Sequence, residues 1–430
     1  MGLWQKIKEF TASEMTKNSA TLLSASIIVQ IIGLLVYPIL TRLYAPEDFG
    51  LFNLFLSIAG VLSIFATAEF QYSIVLPKQE KTAVACFHLG IICSILVSFI
   101  LFGILPFAST LTKWFNVPEL SEWFWAIPIF VFLSALWTLL SYWFTRHKKF
   151  GNVSRYQITQ CVCNAGAKCG FGFAGFLNGG LILSAIISPF IALGISISTT
   201  YKQSIKPLLH FNTKECRTAL SSYSNFPKYS LPRAFINYFS GNLPIMLLTP
   251  FFGLTEIGFW GMALTLAFTP IMLISNSLYH VLYQKIASEV QSQNSIITTI
   301  HLFLKNSFLI FVPLFVMLYF ILPNLVSFLL GNGWEQTSLY IQIMLCWCLL
   351  TFVGNTLSFL PDVFHKQRKS AGIEVILFVA RLSVLCLSIH YHNFTLAIVL
   401  YCIVSCIILI WQTLWYYSLA KQYENQGRSK

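Results

Sequence analysis

Twelve stretches of about twenty apolar residues, separated by short polar connections, constrain this chain more than any other feature of its sequence. They lie at about 18–41, 50–75, 84–110, 124–144, 156–177, 181–201, 229–250, 258–280, 302–324, 339–360, 371–389 and 394–418. A helix of about 20 apolar residues crosses the hydrocarbon core of a bilayer. Such a pattern predicts an all-α polytopic membrane protein with twelve transmembrane helices. Composition agrees, because only 10% of the 430 residues are charged, against about 25% in soluble domains. A water-soluble enzyme of this length could not be clothed by 27 basic and 15 acidic side chains. Nor does the net charge of +12 predict a nucleic-acid partner, since no run of five or more basic residues occurs.

Lysine and arginine fix the expected orientation. With a cytoplasmic N-terminus, the cytoplasmic side holds 22 of them, and the opposite side only Arg42 and Lys113. The positive-inside rule accepts that split in one orientation and rejects it in the other. Both termini are therefore expected on the cytoplasmic side of the membrane. Residues 1–17 lack the apolar core and cleavage site of a signal peptide, so no processing is expected. Within them Leu3, Trp4, Ile7 and Phe10 recur at helical spacing beside Lys6, Lys8 and Glu9, the pattern of an interfacial helix; a frayed tail fits equally well. The eleven cysteines fall nearly all within spans or in the cytoplasmic loop, where they behave as small apolar residues. One intervening residue turns Cys161 from Cys163, and Cys346 from Cys348, onto different helix faces. No metal site and no cofactor are expected.

An internal repeat organises the spans. Leu40–Phe52 recurs as Leu248–Trp260 at an offset of 208, with Leu40/Leu248, Thr41/Thr249 and Gly50/Gly258 identical and Phe52/Trp260 similar. Each copy joins the first and second helix of a six-helix half, and six is even, so the halves form a parallel repeat. Two six-helix bundles around a central cavity are expected, rocking to give alternating access. The divisions are an interfacial segment 1–17, a first bundle 18–201, a cytoplasmic linker 202–228, a second bundle 229–418 and a tail 419–430.

The sequence Thr41-Arg42-Leu43-Tyr44-Ala45-Pro46-Glu47-Asp48-Phe49-Gly50 resembles the signature of the polysaccharide-transport (Wzx-type) flippases of the multidrug/oligosaccharidyl-lipid/polysaccharide exporter superfamily. Leu329-Leu-Gly-Asn-Gly-Trp334 resembles another recurring element of those proteins. The resemblance implies translocation of an undecaprenyl-pyrophosphate-linked oligosaccharide to the periplasmic leaflet, for O-antigen, capsule or exopolysaccharide synthesis. It also implies membrane lipid, a polysaccharide polymerase and a chain-length regulator as partners.

Charges inside the spans are the candidate site. Lys168 and Arg381 lie nearest mid-helix, each in the fifth helix of its half, and a central cation there costs about 2.5–3.5 kcal/mol. Gln157, Gln160, Asn164 and Lys168 form one polar stripe. Gln30 in the first helix, and Arg233 with Asn237 in the seventh, extend the expected polar lining. A pyrophosphate lipid needs cations, and Arg binds phosphate oxygens bidentately; Lys168, Arg381, Arg233 and Arg42 are therefore the candidate substrate contacts. Interhelical bonding for Lys168 and Arg381, snorkelling for Arg233, and pairing of Arg42 with Glu47 or Asp48 are the alternatives. Glu69 and Glu374 are the candidate ion-coupling carboxylates, although Glu69 fits equally well beside Tyr72 or a cation near the inner interface.

Two motifs mislead. Gly170-Phe-Gly-Phe-Ala-Gly175 matches a dinucleotide-binding pattern but lies inside a span without a preceding strand. His390 and His392 sit in a short turn without nearby acid or cysteine and read as solvated. A multidrug or cation exporter of the same superfamily, and a membrane-embedded polymerase or glycosyltransferase, are the other readings. Cationic span residues disfavour the former; the short outer loops, the longest about 111–123, disfavour the latter. No catalytic residue is therefore expected.

Overall fold

The structure, a computed structural model, describes residues 14–291, 295–364 and 366–428. The amphipathic stretch Leu3–Phe10 lies outside them. All regular structure among the described residues is helical. The long helices are α1 (Glu14–Leu43), α2 (Pro46–Thr67), α3 (Glu80–Ile104), α4 (Ala126–Arg146), α5 (Phe150–Phe173) and α6 (Leu177–Thr200). The run Leu231–Gln291 is broken at Gly253, whose φ of 80° and ψ of 176° lie outside helical space, giving α7 (231–252) and α8 (254–291). Then come α9 (Ile297–Leu330), α10 (Glu335–Thr356), α11 (Gln367–His390) and α12 (Phe394–Arg428).

Among the described residues, ten helical runs are long and apolar enough to cross a membrane. That tally takes α7 and α8 as one run and omits α5, whose polar stripe makes it the least apolar of the long helices. The twelve segments of the sequence thus correspond to twelve helices. Some of them leave their apolar faces largely uncovered by protein, as lipid contact requires, whereas α2, α6 and α10 are mostly buried. In α9 only 11% of the most apolar window is buried, and Leu309, Ile310 and Phe320 are all exposed.

The chain forms two compact units, Met1–Thr255 and Glu256–Lys430. In the first, the small residues Ala83, Ala85 and Cys86 of α3 let Leu139, Trp143 and Phe144 of α4 approach closely. Leu208, Cys216 and Ala219 from the polar connection 202–228 complete this core. The connection is therefore docked: Trp143 Nε1 donates to the Ser204 carbonyl at 2.8 Å, and Lys149 Nζ to Ser204 Oγ at 2.8 Å. In the second unit the core is aromatic, with Trp260, Trp334, Tyr340, Phe352 and Tyr401 all buried.

The turn between α1 and α2 shows why its sequence recurs. Pro46 opens α2, where its missing N–H costs nothing, and Asp48 accepts the Ala45 N–H at 2.8 Å, capping the same helix. Thr41 donates to the Tyr37 carbonyl, and its counterpart Thr249 to Ile245, the same bond 208 residues later. The copies also touch. Glu47 accepts a hydrogen bond from Thr255, its own counterpart, at 2.9 Å, and a Cβ on Gly50 would stand 1.9 Å from the Leu254 carbonyl oxygen.

One span ends earlier than hydropathy predicts. The second apolar stretch reaches 75, but α2 stops at Thr67 because Ala68 and Glu69 both take left-handed backbone angles, φ 45° and 63°. A short 3-10 turn, Phe70–Ile74, follows. Glu69 consequently lies just beyond the helix rather than within it.

Candidate functional site

Lys168 is half-buried on α5, with its Nζ 4.6 Å from the centroid of the Phe52 ring on α2. Its carbonyl accepts the Tyr44 hydroxyl at 2.8 Å, which ties α5 to the recurring turn. Three turns earlier, Gln157 is half-buried and its Oε1 has no partner among the described residues. Gln160 is half-buried on the same helix, and Gln30 half-buried on α1, which packs against α5. Asn164 turns toward α6, donating to the Ser184 carbonyl at 3.2 Å and to Ser188 Oγ at 3.0 Å. The stripe thus divides, with Asn164 serving helix packing and Lys168 lying over an aromatic ring.

Arg381 on α11 is enclosed within the second unit. It is 8% exposed, its Nε donates to Ser405 Oγ on α12 at 3.0 Å, and its guanidinium lies 4.7 Å from the Tyr401 ring and 5.5 Å from that of Trp347. A desolvated cation–π contact is worth about 2 kcal/mol, and a hydrogen bond from a charged group about 1.5–3 kcal/mol. Two rings and one hydroxyl therefore offset an insertion cost of about 2.5–3.5 kcal/mol. Lys168, with one ring, is compensated less completely. The repeat accounts for part of this chemistry, because Phe52 corresponds to Trp260, which stacks on Trp347 and meets Tyr401 edge-on.

The remaining candidates are scattered. Arg42 is exposed and donates to the Pro38 carbonyl one turn back in its own helix. Arg233 and Asn237 are exposed on α7. The Arg233 charge acts on Glu69, which is 6% exposed and also hydrogen-bonds Gln71. Burial pushes the Glu69 carboxyl above the usual carboxylate range, and Gln71 and Arg233 draw it partly back. Glu374 is half-buried on α11, with its charge acting on Tyr416 of α12. No cluster of three or more His, Cys, Asp or Glu suited to a metal occurs among the described residues. Of the glycine-rich decoy, Gly172 packs against Leu43 and Tyr44, and Gly175 ends α5 with φ 74°.

Sequence reasoning passed over Tyr44, Gln71, Trp347, Tyr401 and Ser405. Only the aromatic position shared by Phe52 and Trp260 signalled any of this; the other partners come from helices distant in sequence.

The fold is that of a transporter of the multidrug/oligosaccharidyl-lipid/polysaccharide (MOP) superfamily. An inward-facing multidrug resistance MATE family transporter of that superfamily aligns with TM-score 0.73 at 13% identity, covering 94% of this chain and 99% of its own. A MATE transporter in complex with MaL6 aligns with TM-score 0.62 at 14% identity over 96% and 97% of the two chains. A MOP superfamily transporter from Pyrococcus furiosus, described as having a binding pocket of reverse polarity that suggests a different function, aligns with TM-score 0.61 at 13% identity over 96% of each. At such identities the likeness establishes the fold alone. No curated protein matches the sequence. Residues 39–339 match the family described as polysaccharide biosynthesis protein. The chain belongs to that family.

Proposed function

We propose that this exporter moves an undecaprenyl-pyrophosphate-linked oligosaccharide from the cytoplasmic to the periplasmic leaflet of a bacterial inner membrane, supplying surface polysaccharide synthesis. The carrying observation is a polysaccharide-biosynthesis family chain whose mid-span charges are cations, foremost Lys168. A single ring at 4.6 Å leaves that ammonium attractive to an anion. Pyrophosphate supplies one, and Lys168, Arg233 and Arg42 are the residues assigned to meet it; Arg381, enclosed by aromatic rings, is assigned to hold the packing of its own unit. The polar side chains Gln30, Gln157, Gln160 and Asn237 belong to the same lining. The polyprenyl tail stays in lipid while the head group crosses by alternating access, and Glu374 is the carboxylate assigned to couple the cycle to an ion gradient. A cationic lining also repels cationic drugs, which favours this reading over a cation exporter.

Deletion of the gene in its host tests the proposal. Undecaprenyl-linked oligosaccharide is expected to accumulate intact on the cytoplasmic face, protected from a membrane-impermeant glycosidase. Export of single unpolymerised units would instead identify a polymerase.

A further inference from the structure

The first unit contains a cavity of about 350 Å³ that none of the sequence motifs announces. It is walled by α2, the turn after it, α4 and α7, with Ser63, Glu69, Gln71, Thr138, Phe130 and Tyr238 among its lining residues. What distinguishes it is the direction of its hydrogen bonds. Ser63 donates its one hydroxyl proton to the Ala59 carbonyl at 2.7 Å, and Thr138 donates to the Ser134 carbonyl at 2.8 Å. Both oxygens therefore retain only acceptor capacity. The Gln71 amide bonds to the Glu69 carboxylate, while Gln71 Oε1 is buried without a partner among the described residues. Glu69 and Gln71 are each 6% exposed. An unmet buried acceptor costs about 1–3 kcal/mol, so this wall favours an occupant that brings donors.

Size and chemistry narrow the class. Hard cations require six to eight oxygens at about 2.3–2.6 Å, a closed cage, whereas a volume of about 350 Å³ lies in the range of organic-ligand pockets, about 300–1,000 Å³. The Phe130 and Tyr238 rings give the alcove apolar surface beside its acceptors, suited to the C–H face of a sugar ring. A hydroxyl-rich sugar, above all one with an acetamido N–H, supplies both. Arg233 on α7, whose charge acts on Glu69, is the cation assigned to a phosphate attached to that sugar. We propose that this alcove is the subsite for the sugar adjoining the pyrophosphate, and that Gln71 and Glu69 read its hydroxyl and amide protons. This rests on the flippase reading.

The full-length protein in lipid nanodiscs tests it, with affinities measured for undecaprenyl-pyrophosphoryl-N-acetylglucosamine and for undecaprenyl pyrophosphate. Gln71→Leu is expected to weaken the sugar-bearing lipid about tenfold, about 1.4 kcal/mol, and to leave the sugarless lipid within about twofold. Thr138→Val, which keeps side-chain shape, is expected to act in the same direction on the same lipid only. Equal losses for both lipids, or unchanged affinity in both variants, overturn the subsite. Sodium-dependent stabilisation abolished by Gln71→Leu while sugar binding persists would make the alcove a cation site and overturn it likewise. If the wild type binds both lipids equally, the subsite falls and the flippase reading stands; if it binds neither, the flippase reading falls first.

Discussion

Lys168 and Arg381 occupy the fifth long helix of each half, yet their surroundings assign them different work. Arg381 lies between Trp347 and Tyr401 with Ser405 on its Nε, so truncating it removes packing as well as charge. Arg381→Ala is expected to cost about 2–5 kcal/mol, the range for emptying a packed interior site, read as a fall in the thermal unfolding temperature of purified protein. Lys168, half-buried over a single ring, is expected to give a folded Lys168→Ala variant with reduced glycan export. An unchanged unfolding temperature for the first, or normal export at normal protein level for the second, would contradict this division. Both cations were visible in the sequence as charges too deep to reach water. Their rings were not, because Phe52, Trp347 and Tyr401 come from other helices and a hydropathy profile gives no account of which faces meet.

At the scale of elements, the turn between α1 and α2 sets the sharpest constraint. A Cβ at position 50 would stand 1.9 Å from the backbone carbonyl oxygen of Leu254, which no side-chain rotation relieves. Gly50→Ala is therefore expected to lower folded yield severely, whereas Gly33→Ala in α1, with nothing within 4 Å of the added carbon, is expected to be tolerated. Gel-filtration profiles of the two variants measure the difference, and equal monodispersity would refute the contact. The matching pair Gly50/Gly258 was legible as a repeat; the contact behind it was not. Apolar runs located every long helix, but their borders followed lipid rather than backbone. Thus α8 continues to residue 291, and α12 to Arg428, beyond their apolar stretches, because a helix keeps its hydrogen bonds after leaving the bilayer. The end of α2 was hidden for another reason: Ala68 and Glu69 adopt left-handed angles without the glycine that usually announces them. The connection 202–228 was recognisable by its lysines, but its docking through Leu208, Cys216 and Ala219 depends on α3 and α4.

For the whole molecule, scarcity of charge is the property that joins fold to function. Most of the +12 is distributed over connections and ends, where the positive-inside rule reads it as a signal of orientation. Few cations remain within the spans, and in a chain of the polysaccharide biosynthesis protein family Lys168 and Arg233 are the ones on which the proposed anionic, lipid-linked cargo rests. Reconstitution measures that assignment most directly. Purified protein in proteoliposomes, loaded with fluorescent undecaprenyl-pyrophosphoryl oligosaccharide, is expected to carry the head group between leaflets, seen as a second phase of quenching by a membrane-impermeant reductant that protein-free vesicles lack. Lys168→Ala is expected to slow that phase. Quenching that stops at the outer-leaflet fraction with active, folded wild-type protein, under an imposed ion gradient as well as without one, would contradict the account.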